Sequence, residues 1–151
     1  MMQVRIIFVL ALFVVPLYSF TETDKRPAST GNIHVVVEGI DDIEGQIGIL
    51  LFDQKEGFPT DHRKALQQVL IPHQDKKISY SFRDIPFGNY AISVMHDANM
   101  NDKLDSNLFG IPKEGIGVSN NAKGILSAPK FGDASFLLES SEITKTIELS
   151  Y

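Results

Sequence analysis

The stretch Lys77-Ile78-Ser79-Tyr80-Ser81-Phe82-Arg83-Asp84-Ile85-Pro86-Phe87-Gly88-Asn89-Tyr90-Ala91-Ile92-Ser93-Val94-Met95 decides the fold. Ile78, Tyr80 and Phe82 alternate with Lys77, Ser79 and Ser81. After Asp84-Ile85-Pro86-Phe87-Gly88 the alternation resumes, with Tyr90, Ile92 and Val94 on one face. A period of two marks half-buried strands. Between them, Pro86 presets φ and Gly88 can take a positive φ, so this reading is strand, tight turn, strand.

The same period extends outward in both directions. In Asn32–Glu38, Ile33, Val35 and Val37 alternate with His34, Val36 and Glu38. Gly45–Phe52 carries Ile47, Ile49 and Leu51 on one face and Leu50 and Phe52 on the other, so it is expected to be covered on both sides. Asp41, Asp42 and Gly45 suit a hairpin between these two strands. Lys55 to His62 reads as a loop, and Arg63 to Ile71 as a short helical turn running into a strand. Ala134–Leu138 and Ile143–Tyr151 close the chain, with Ile147, Leu149 and Tyr151 inward. About seven short strands without a long helical pattern predict an all-β fold: an antiparallel β-sandwich, prealbumin-like or Ig-like, with one long irregular loop region. That region, residues 97–132, has five glycines, two prolines and no sustained alternation. Phe109, Ile111, Ile116, Val118, Ile125, Leu126 and Phe131 are scattered through it as apolar anchors, which argues for order.

The N-terminus sets the compartment. Arg5 precedes the uncharged apolar run from Ile6 to Tyr18, which is short of the roughly 20 residues that span a bilayer. Residues 1–20 read as a signal peptide, 21–31 as a polar linker and 32–151 as one β-sandwich domain. An exported protein, periplasmic or secreted, is expected. Because the cleavage site is weak, the alternative is an uncleaved anchor in the inner membrane. Without residues 1–20 the chain keeps 13 basic and 19 acidic residues, a net charge of −6. That excess of acid argues against nucleic acid and against an anionic membrane surface, leaving a protein or small-molecule ligand as the expected partner. There is no cysteine. Neither disulfides nor a lipid thioether can therefore hold or anchor the domain.

One segment carries distinctive chemistry: His96-Asp97-Ala98-Asn99-Met100-Asn101-Asp102-Lys103-Leu104-Asp105. Hard cations need several oxygens on a sharply curved backbone. Asp97, Asn99 and Asn101 fall at positions 1, 3 and 5 of an acidic calcium loop, the Lys103 carbonyl at 7 and Asp105 at 9. Position 6 is Asp102 instead of Gly, and position 12 is Leu108 instead of an acid, so this is no EF-hand. Calcium is the cofactor this loop would take. His96, Asn107, Glu114 and Asn120 are the supporting residues nearest to hand. The competing reading is a loop closed by its own Asx hydrogen bonds.

Catalytic readings are thinner. A hydrolase would use His96 as base with the Asp and Glu residues of 97–114, and Ser93 or Ser119 as nucleophile. However, adjacent strand residues point to opposite faces, so His96 and Asp97 pair poorly, and no nucleophile elbow is present. His34, His62, His73 and His96 are too scattered to show transition-metal spacing. The Gly110–Gly117 stretch neither follows a strand nor opens a helix, so it is no phosphate loop. A third reading is a module that adds a strand at an exposed sheet edge.

The string Phe82-Arg83-Asp84-Ile85-Pro86-Phe87-Gly88-Asn89-Tyr90-Ala91-Ile92, His96-Asp97-Ala98-Asn99-Met100-Asn101, Leu104-Asp105, Asn107, Gly110-Ile111-Pro112-Lys113-Glu114-Gly115, Gly117 and Ser119-Asn120-Asn121 resembles the bacterial family catalogued as domain of unknown function 2141. The resemblance continues through Pro129-Lys130-Phe131 and Ala134-Ser135-Phe136 and covers about residues 32–151. It implies an exported domain with no assigned activity. The family pattern has Gly where this chain has Asp102. The Pro-x-Gly-x-Tyr-Ala turn is also similar to that of prealbumin-like sandwiches, a likeness of fold alone.

Overall fold

The computed structural model describes residues 29–101, 113–124 and 127–151. The expected signal segment, most of the expected linker, and Lys103, Asp105 and Asn107 of the loop lie outside the described residues. The chain order is β1 (Thr30–Glu38), β2 (Gln46–Phe52), a 3-10 turn at His62–Lys64, β3 (Gln67–Pro72), β4 (Ile78–Pro86), β5 (Gly88–Asp97), β6 (Ile116–Val118), a 3-10 turn at Ser119–Asn121, a helical turn α1 (Phe131–Ala134), β7 (Phe136–Leu138) and β8 (Glu142–Glu148). One sheet runs β4-β1-β8. The other runs β3-β2-β5-β6, with β7 also on β5. Ile33, Val35, Val37, Ile47, Ile49, Leu51, Phe82, Ile92, Val94 and Ile147 fill the space between the sheets. Fully burying each such side chain contributes about 1.5–3 kcal/mol. The fold is an all-β sandwich, as the alternation predicts.

β2 is buried at every position. Its second face is covered because Phe52 packs edge-on against Phe58, and Phe58 against Phe131. Ala91, Val118 and Ala134 lie in the same small outer core.

Four expectations change. The hairpin at Asp41, Asp42 and Gly45 does not form, because β1 and β2 belong to different sheets and the segment crosses between them. The tight turn of residues 84–88 is also a crossing. β4 runs on to Pro86, and the backbone break falls at Asp84, whose φ is 55° where β4 slips in register against β1. Gly88 is not among the residues at positive φ. Asp tolerates that conformation, and Tyr90 fixes the corner by donating its hydroxyl to Pro86 O at 2.7 Å. The sandwich is not wholly antiparallel: β1 pairs with β8 in parallel, from Asn32↔Glu142 to Glu38↔Glu148. Finally, Tyr151 is not inward but 50% exposed, since β8 ends at Glu148.

Candidate functional site

β5 ends in two residues that face opposite ways. His96 follows Tyr90, Ile92 and Val94 onto the inner face. Asp97 follows Ala91, Ser93 and Met95 onto the outer one. Both side chains are buried, each residue being 1% exposed. Together they divide the end of the sandwich into an acidic side and an imidazole side.

On the acidic side, Gln46 stands opposite Asp97 in the β2–β5 register and donates Nε2 to Asp97 Oδ2 at 2.9 Å. The backbone N–H of Asn101 bonds Asp97 Oδ1 at 3.0 Å and Asn99 Oδ1 at 3.1 Å. From the other end of the loop, Glu114 Oε1 accepts the Ala98 N–H at 3.2 Å. Glu114 is 7% exposed. The loop is thus tied at its root by two buried carboxylates aimed at its own amides. Gly45, at φ 84°, lets the β1–β2 crossing lie against this root: a Cβ there would come within 2.2 Å of Asp97 O.

On the imidazole side, His96 Nε2 lies 2.8 Å from Glu44 O, and a carbonyl can only accept. Nε2 therefore carries the proton, and Nδ1, 2.8 Å from the Tyr151 hydroxyl, accepts from it. The Tyr151 oxygen in turn accepts the Asp41 N–H at 3.1 Å. Burial raises the Tyr151 phenol above its ordinary value. The Asp41 N–H works against that, and the Asp41 and Asp42 charges add to it. Gly115 makes the arrangement possible, since a Cβ there would lie 2.4 Å from the Tyr151 ring, and Gly115 O receives the His96 N–H. His73 completes the cluster, its Nε2 3.4 Å from His96 Nε2 and its Nδ1 3.1 Å from Asp75 O.

The remaining candidates are placed as follows. Ser119 is 0% exposed; its Oγ accepts the Ile92 N–H at 2.9 Å and donates to Ala134 O at 2.6 Å. That hydroxyl is a structural bridge and not a nucleophile. Asn120 sits away from the loop root, its amide donating to Asp133 O and Ser135 O and its oxygen accepting from Lys145 Nζ. Burial holds the Lys145 ammonium below its ordinary value. Asp97, Asn99, Asn101 and Glu114 are brought together, whereas His96 is turned to the opposite face. Among the described residues, no three His, Asp or Glu side chains converge as a metal cluster. Gln46, His73 and Tyr151 have no signal in the sequence, because only the folded chain brings them to the end of β5.

A family model described as "Uncharacterized protein conserved in bacteria (DUF2141)" matches residues 35–146. No curated protein and no solved structure matches the chain.

Proposed function

The chain belongs to this uncharacterised bacterial family, and from that premise we propose that it is an exported module that works by binding rather than by catalysis, through the loop rooted at Asp97 and Glu114. One observation carries the reading: two buried carboxylates aim at the loop's own backbone amides. A loop fixed at its root on a β-sandwich is a common way to present a recognition surface. His96, the residue a hydrolase would need, has both ring nitrogens engaged by Tyr151 and Glu44. Arg5 and the apolar run Ile6–Tyr18 support export. Among the described residues, no helix is long and apolar enough to cross a membrane. The partner is a protein or small molecule outside the nucleic-acid class, as the acidic net charge favours.

A second reading adds calcium to this loop. Burying two carboxylates side by side is unfavourable unless positive charge or strong hydrogen bonds offset it. Asp97, Asn99 and Asn101 then supply oxygens, with the Lys103 carbonyl and Asp105 completing the set. Thermal melts in calcium, magnesium and chelator test it. At a hundredfold excess over Kd, calcium raises stability by about 2.7 kcal/mol, and Asp97→Asn and Asp105→Ala remove the gain. Indifference to millimolar calcium leaves the Asx-bonded loop as the whole account.

A further inference from the structure

An open cleft runs beside β4. Ser79, Tyr80, Ser81 and Arg83 of β4 line it, and Gln67 of β3 forms the far wall. Ser79, Ser81 and Arg83 stand on the outer face of β4 and Tyr80 on the inner one, so the cleft follows the edge of the strand rather than either face. β4 is the outer strand of its sheet. Alternate backbone N–H and C=O groups of an outer strand point away from the sheet. Apart from the pairing with β1, no hydrogen bond among the described residues reaches the backbone of Ile78–Arg83. The other outer edges are blunted. β3 has six residues and ends in Pro72, β6 and β7 have three each, and β8 is closed off by Asn121 and the Ile116–Ser150 bridge. Ile78–Arg83 has no proline and no residue at positive φ; the break comes only at Asp84.

We propose that β4 takes up an extended acidic segment of a partner protein as an added strand, its backbone pairing with Ile78–Arg83 and a carboxylate meeting Arg83. Main-chain bonds supply the affinity in this mode and side chains the choice of partner. Charge selects the occupant. Lys77–Arg83 carries two cations and no acid. Lys77 is paired with Glu38, whereas Arg83 is exposed and has no ion pair among the described residues, in a chain rich in acid. A second copy of this chain paired through the same stretch would meet the guanidinium with no carboxylate, so the complementary strand is an acidic one. The surface is separate from the loop root: Gln67 pairs at Leu51, and Asp97 at Gln46, the opposite end of β2. It therefore stands whatever that loop binds.

The test titrates the isotope-labelled chain with end-blocked heptapeptides of alternating threonine and valine that carry one glutamate, moved through each position in turn. Backbone amide NMR and hydrogen exchange are the readouts. Saturable shifts confined to β4 and slowed exchange of its outward amides are expected. The best glutamate peptide should bind about two- to fivefold tighter than its glutamine counterpart, the range of an exposed ion pair. Arg83→Gln, a change at an exposed side chain, should erase that preference and keep the amide shifts. N-methylation of the peptide backbone should abolish binding. No saturable shift with any peptide, shifts centred on another edge, binding that survives N-methylation, a glutamate preference that survives Arg83→Gln, or self-association through β4 in place of peptide binding would overturn the proposal.

Discussion

The two flanks of the sandwich are built differently. On one, β8 is stitched across to the opposite sheet. Ile116 and Ser150 exchange backbone hydrogen bonds, Asn121 Oδ1 accepts the Glu148 N–H at 3.0 Å, and Asn120 reaches Lys145. On the other flank, β3 and β4 are the outer strands of their sheets. Between them lies an open cleft of about 560 Å³ lined by Gln67, Ser79, Tyr80, Ser81 and Arg83. Leu66, just before β3, and Leu70, on the outer face of β3, are 44% and 50% exposed. The closed flank carries these cross-sheet bonds, while the open cleft is lined mostly by polar side chains around Tyr80. A sandwich can therefore concentrate its cross-sheet hydrogen bonds on one side and leave the other open.

The strongest way to break that contrast is Ser119→Ala. It orphans the buried Ile92 N–H and Ala134 carbonyl, and a loss of about 2–4 kcal/mol is expected in urea denaturation. Asn121→Ala comes next. It removes the bond to Glu148 and forces Ala to a φ of 47°, for about 1–2 kcal/mol. Asn121→Gly also loses the bond but relieves the backbone, so the gap between the two variants isolates the strain, and the loss that remains in Asn121→Gly reports the cross-sheet bond. The smallest effect belongs to the open flank: Leu70→Gln should change stability by less than about 0.5 kcal/mol. A Leu70→Gln loss as large as that of Asn121→Ala would show that the open flank carries more of the fold than its exposure implies.

The strands were legible because each has one face against the core. Ile33, Val35 and Val37 in β1, and Tyr90, Ile92 and Val94 in β5, recur at a spacing set by the pleat alone. What alternation cannot carry is which sheet a strand joins. Asp41, Asp42 and Gly45 suit a hairpin turn and a crossing equally well, and the crossing won because β2 is flanked by β3 and β5. Pro86 and Gly88 looked like the turn, but the strain settled on Asp84. For the site, Asp97, Asn99 and Asn101 were visible through their spacing of two, and Glu114 only as a supporting residue near the loop. His73, Gln46 and Tyr151 were not, because the fold brings them together from far apart: Gln46 and His73 through the pairing of β2 with β5 and β3, over 51 and 23 residues, and Tyr151 through the Ile116–Ser150 bridge, over 55.

β1 lies between β4 and β8, and its partner β8 begins only at Glu142. An emerging chain can pair β1 with β4 once Pro86 is made, but the other edge of β1 stays bare until β8 appears. Ile147, fully buried in the common core, arrives equally late. The pairing of β1 is therefore completed late, its second partner arriving more than a hundred residues after it. Contacts that span more than a hundred residues place the domain among the slower-folding topologies.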